Sequence, residues 1–155
     1  MAERTRACVN LVVDAVLDRL RDIGDGDGWL SQPLTVKRAT GIGDKKAPRP
    51  ALLVKVLSWG PNLPLCNSGQ HEVSLTLQIG VLASNAADPD EVIHNVVADA
   101  IRALSNGDVT FGGTVVGGLF VESYEADTDA ADGGAGEGMG ILTVKGLVHW
   151  GATAP

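Results

Sequence analysis

The clearest pattern in the chain runs from Glu72 to Ala83, where Val73, Leu75, Leu77, Ile79 and Val81 alternate with Glu72, Ser74, Thr76, Gln78 and Gly80. A period of two sends successive side chains to opposite faces, so the segment predicts a long, half-buried strand with one wet face. The start of the chain has a different period. Over residues 4–23, Val9, Val12, Val13, Val16, Leu17, Leu20 and Ile23 recur at helical spacing, with Asn10, Asp14, Asp18 and Arg21 on the opposite stripe. This predicts a first helix, ended by the glycine-rich run 24–28. A second helix follows the long strand. Asp88 reads as its N-cap, Pro89 as its first helical residue and Glu91 as the closing member of a capping box. Such a cap is worth about 1 kcal/mol. Ile93, Val97, Ala100, Ile101 and Leu104 form the predicted apolar stripe, and Asn106-Gly107 stops the helix.

Shorter apolar runs predict further strands at residues 34–38, 51–59, 109–111, 115–125 and 140–150, with Gly112-Gly113 and Gly117-Gly118 interrupting the fourth and fifth of the chain's strands. Residues 39–50 and 60–70 read as loops, rich in Gly and Pro. Residues 126–139 hold Asp127, Asp129, Asp132 and Glu137 with four glycines, and no aliphatic side chain larger than Ala before Met139. Such a segment cannot build a core and is expected to be a mobile hairpin tip. The order α-β-β-β-α-β-β-β predicts an α+β fold: a single mixed, mainly antiparallel sheet, two helices packed on one face, and long loops. With 155 residues, no internal repeat and no linker, residues 1–155 are expected to form one domain.

Composition narrows the function. Apolar residues make up 45% and charged residues 20%, which fits a folded globular chain, while aromatics reach only 4%, few for a protein that stacks bases. The net charge of −7 gives no overall cationic surface for nucleic acid. The charge is unevenly spread: residues 1–55 sum to +3 and residues 56–155 to −10. Opposite ends of this kind either lie as solvated surface or let copies of the chain associate head to tail. Cys8 and Cys66 form no CxxC and no zinc spacing, which suits a reducing, cytosolic setting. Charges run through the apolar N-terminal segment, and no apolar run approaches the roughly 18 residues of a membrane span, so neither a secretory signal nor a membrane partner is expected.

Catalytic patterns do not assemble. The Asp25–Trp29 region lacks the fifth-position ligand and closing Glu of a calcium loop, and the basic loop with Lys45, Lys46 and Arg49 lacks GxxxxGK[ST]. His71, His94 and His149 show no HxxxH or HExxH spacing, and no GxSxG elbow is present. No catalytic, cofactor-binding or metal-binding residue is therefore assigned, and no cofactor is expected. Two loops of opposite charge suggest contact with a partner, and repeated contacts between copies in a ring are the economical form.

The layout resembles the tail terminator (tail completion) proteins of long-tailed bacteriophages. The resemblance rests on the N-terminal helix RACVNLVVDAVLDRL, the strand ALLVKVLSW, the strand-to-helix unit HEVSLTLQIGVLASNAADPDEVIHNVVADAIRAL, and the pair LFVESYEADTD and GILTVKGLVHW around a glycine-rich acidic loop. It implies a non-enzymatic virion protein, assembled in the host cytoplasm as a homo-oligomeric, hexameric ring. The ring would cap the head-proximal end of the tail tube, stop its growth and join it to the head-side connector. Its partners would be itself, the major tail tube protein and the connector or neck protein, with genomic DNA passing through the lumen without sequence-specific binding. A head–tail connector or neck protein is the alternative, and a small-molecule- or peptide-binding α+β module a more distant one. On this reading Lys45, Lys46 and Arg49, with Asp127, Asp129, Asp132 and Glu137, lie on ring contacts. Trp29 and Trp59, beside loops, are either interface anchors or residues at the edge of the core.

Overall fold

The structure, a computed structural model, describes residues 8–39, 48–61, 71–83, 88–127 and 138–150. Its elements in chain order are α1 (Cys8–Arg21), β1 (Thr35–Arg38), β2 (Ala51–Pro61), β3 (His71–Ala83), α2 (Pro89–Ser105), β4 (Val115–Asp127) and β5 (Gly138–Trp150). The strands form one sheet in the order β1-β2-β3-β5-β4. β1 runs parallel to β2 and every other pair is antiparallel, so the sheet is mixed and mainly antiparallel, as expected. β3 and β4 run the same way, joined through α2, with β5 inserted between them.

The alternation in β3 becomes the middle of the core. Val73, Leu75, Leu77, Ile79, Val81 and Ala83 are buried on one face, while Ser74 is exposed and Thr76, Gln78, Gly80 and Leu82 are half-buried on the other. β2 and β5 supply Leu52, Val54, Leu142, Val144 and Val148 to the buried face. The α1 stripe packs there, beside Ile93, Val96, Val97, Ala100, Ala103 and Leu104 of α2. Both helices thus lie on one side of the sheet. The N-cap of α2 forms as read: Asp88 Oδ1 accepts from the Glu91 N–H at 3.1 Å. Ile101 is displaced from the expected stripe and stands exposed. It projects about 100° from the direction in which Ile93, Val96 and Ala100 point, so it falls on the helix's flank.

One predicted strand is absent. Residues 109–114 form a turn, so the described chain has five strands rather than six. Asp108 organises the reversal. Its carboxylate accepts from the Thr110 and Gly112 N–H groups, both at 2.9 Å, and from the Thr110 hydroxyl. Phe111, Gly112 and Gly113 all take positive φ, a conformation that a pleated strand cannot include. Several boundaries also move. α1 stops at Arg21, with 22–24 in a turn; Gly60 and Pro61 extend β2; Ala126 and Asp127 belong to β4, and Gly138 and Met139 to β5. The expected mobile tip therefore reduces to residues 128–137, and these, like residues 4–7, 40–47 and 62–70, lie outside the described residues.

Two glycines in β5 make room for α2 and β4. A Cβ on Gly140 would lie 2.8 Å from Ile93 Cγ2 and 3.1 Å from the Tyr124 ring, two groups with little freedom to retreat. At Gly146 the close neighbour is the tip of the Leu119 side chain, which can rotate away. Gly140→Ala should therefore cost about 1–3 kcal/mol of stability and Gly146→Ala clearly less. Parallel urea titrations of the two variants check this order.

Candidate functional site

Among the described residues, the helices cover one face of the sheet only and leave the other uncovered. On the other face, the register aligns Lys37, Leu53, Gly80, Ile141 and Glu125 in one cross-strand row. Thr35, Ala51, Leu82, Met139 and Asp127 form a second row, and Lys55, Gln78, Thr143 and Ser123 a third. No described helix packs over this surface. Leu53, Leu82, Ile141 and Leu147 are half-buried, while Met139 and Phe120 are exposed. Lys145 Nζ lies 2.7 Å from Glu122 Oε1 where the face meets β4.

The sheet ends in two unlike edges. β1 is short, and the N–H groups of Thr35 and Ala39 both point to β2, onto the Pro50 and Val54 carbonyls. The intervening Val36 and Arg38 N–H groups therefore face outward. β4, at the other edge, is long but twice irregular, between Val116 and Phe120 and between Val121 and Ser123. Bulges of this kind bend an edge and re-aim its side chains. Gly117 and Gly118 take the positive φ that the first irregularity needs, and Leu119 folds inward over Gly146.

The residues proposed from sequence are distributed around this frame. Arg49 is half-buried at the entry to β2, where the flanking Pro48 and Pro50 carbonyls accept from the Thr35 hydroxyl and the Leu34 N–H. Asp127 ends β4 in the row shared with Thr35, so Arg49 and Asp127 sit near one end of the sheet on opposite sides. Lys45, Lys46, Asp129, Asp132 and Glu137 lie outside the described residues. Trp59 pairs with Leu75 in β2 and remains 46% exposed. Trp29 is half-buried against the core. Its Nε1–H donates to the Asp25 carbonyl at 3.0 Å, and the Arg102 guanidinium lies 4.7 Å above its ring. Trp29 is thus held within its own subunit.

Sequence reasoning did not find the two polar struts that hold these surfaces in place. Asp99 of α2 is buried, and its carboxylate accepts from the Leu30 N–H, the Ser31 N–H and the Ser31 hydroxyl at 2.6–3.1 Å. This ties the segment after α1 to α2. Arg19 of α1 donates to the Asn106 and Asp108 carbonyls and stacks over Phe111, 4.8 Å from the ring centre. It borders an open groove of about 320 Å³ between α1 and the 109–114 turn, lined by Ala15, Asp18, Asp22 and Gly112. The Asp108 carboxyl is held below its ordinary value, first by the Thr110 hydroxyl and then by the Gly112 and Thr110 N–H groups. A lowered folded-state value means that the carboxylate's contribution is present above the unfolded value, near 3.8, and is lost as pH falls through the folded one. The difference in thermal midpoint between the native chain and Asp108→Ala should therefore be constant near neutral pH and shrink below that value.

Among the described residues, no group of three His, Cys, Asp or Glu side chains could hold a metal ion. His94 is exposed, 3.6 Å from Asp90 and edge-on to Tyr124. Among the described residues, the arrangement offers no assembled nucleophile and base. It offers surfaces: an uncovered sheet face, a basic edge and an acidic edge. Compared with known proteins, the chain matches no family model and no curated protein sequence.

Proposed function

We propose that the chain is a structural virion protein of a long-tailed bacteriophage, a tail terminator that assembles as a ring on the head-proximal end of the tail tube. There it ends tail polymerisation and forms the joint to the head-side connector. The observation that carries this reading is the sheet's uncovered face and its margins. Large apolar side chains stand in solvent along them: Leu34 is 64% exposed, Phe120 58% and Leu57 49%. In a chain that buries the stripes of both helices and the centre of one face of its sheet, a concentration of exposed apolar groups marks surface that another protein covers. A ring places each such surface against a neighbour, and the excess of carboxylates in residues 56–155 suits a lumen that lets DNA pass without holding it.

The test is light scattering of the purified chain over a concentration series, with electron micrographs of the same sample mixed with growing tail tubes. Closed rings of about six copies, or monomers that close into rings on tube ends and arrest growth, are the expected result. A chain that stays monomeric and leaves tubes growing would overturn the proposal.

A further inference from the structure

The strand order sorts charge to opposite edges of the sheet. Lys37 and Arg38 occupy β1, with Lys55 beside them on β2, whereas β4 carries Glu122 and Glu125. Lys37 and Glu125 belong to the same cross-strand row, on the same uncovered face. Four inter-strand spacings of about 4.8 Å separate them, roughly 19 Å. That is more than twice the screening length of about 8 Å at physiological salt, so Lys37 and Glu125 do not compensate each other within one subunit; Glu122 is paired with Lys145 at 2.7 Å, and Arg38 donates to Asn10 of α1 at 2.9 Å. Each edge also carries an exposed apolar group: Leu34 leads into β1, and Phe120 and Val121 lie in β4.

We infer that the ring closes head to tail, with the β1 edge of one copy seated against the β4 edge of the next. The inference rests on the ring reading above and assigns its repeating contact. Two-fold alternatives bring like charges together: a β4–β4 contact faces Glu122 and Glu125 with their own copies, and a β1–β1 contact does the same for Lys37 and Arg38. In the register of the shared row, the heterologous contact sets Lys37 opposite Glu125 and brings Leu34 beside the Asp127 end of β4. β1 and β4 run in opposite directions, so a neighbour that keeps its uncovered face on the same side meets β1 in the antiparallel sense, the more stable pairing. A contact that joins different surfaces closes into a ring when the rotation per copy divides the circle. The charges set the register and suppress wrong pairings, and the outward N–H groups of Val36 and Arg38 offer main-chain pairing to the neighbouring edge.

A charge-swap experiment on the full chain tests this contact. Lys37→Glu with Arg38→Glu makes both edges acidic, and Glu122→Lys with Glu125→Lys makes the acidic edge basic. Each double variant alone should need about tenfold more protein to assemble than the native chain at moderate salt. A one-to-one mixture should recover rings, because each variant's altered edge then meets its complement. Circular dichroism melts establish that each variant is folded, and recovery in the mixture itself requires folded partners. Native rings together with unimpaired assembly of both variants would overturn this contact and leave the ring reading standing. So would a mixture that stops at two-copy particles, the signature of a two-fold contact. A native chain that never assembles, even on tail tubes, would overturn the ring reading and this contact with it.

Discussion

Leu77→Ala should remove about 3–4 kcal/mol of folding stability, a large share of the roughly 5–15 kcal/mol that holds a domain together. Leu77 lies at the centre of β3, itself the central strand, and is fully buried. Val56 and Val144 flank it in register on either side, and the helical layer lies above. Both in-register neighbours are β-branched groups fixed by their own strands, so the cavity left by the lost atoms collapses little. The next residue supplies the control. Gln78 faces the uncovered side, and Gln78→Ala should stay within about 0.5 kcal/mol of the native chain. Urea unfolding of both variants measures the contrast, with an unchanged slope showing that the unfolded state is the same. Comparable losses at the two positions would mean that the second face is as deeply packed as the first.

That one-sidedness was legible in the sequence because a period of two over Glu72–Ala83 leaves no other arrangement that buries the apolar set. The start of α2 was equally legible, since the Asp88, Pro89 and Glu91 signals act over three residues and need no partner from elsewhere. Val109, Thr110 and Phe111 misled for the opposite reason. Their types favour strands, but an Asp side chain just before them and two glycines just after stabilise a turn instead. Phe111 still buries its ring, under Arg19 rather than in a sheet.

The candidate surfaces were legible only as charge totals. The sequence separates a basic first third from an acidic remainder, yet it does not say where the strands that carry those charges stand. The order β1-β2-β3-β5-β4 decides that, because β5 inserts beside β3 and pushes β4 to the rim. Had β4 paired with β3, Glu122 and Glu125 would lie in the sheet's interior beside other strands. Trp29 was ambiguous in sequence for a related reason: the groups that fix it, Arg102 and the Asp25 carbonyl, come from a distant helix and from the backbone.

The strongest polar effect should come from Asp99→Ala, at about 3 kcal/mol. The substitution strands three donors at once, the N–H groups of Leu30 and Ser31 and the Ser31 hydroxyl. A buried donor left without an acceptor costs about 1–3 kcal/mol, and part of that is recovered when the segment opens to water. The loss is therefore local before it is global. Amide exchange at Leu30 and Ser31 should accelerate well beyond the fall in overall stability, while amides in β3 and β5 track the global value. Arg102 would keep its place on α2, but the Gly28 carbonyl and the Trp29 ring it engages belong to the freed segment. Asp99→Asn should fall between, because its amide nitrogen presents donors to donors. Such a carboxylate leaves no trace in a helical pattern: Asp99 reads as one more polar residue, and its partners are mainly backbone amides that no side-chain motif encodes. Unaltered exchange at Leu30 and Ser31 in Asp99→Ala would show that the segment after α1 is held by Trp29 packing and not by this carboxylate.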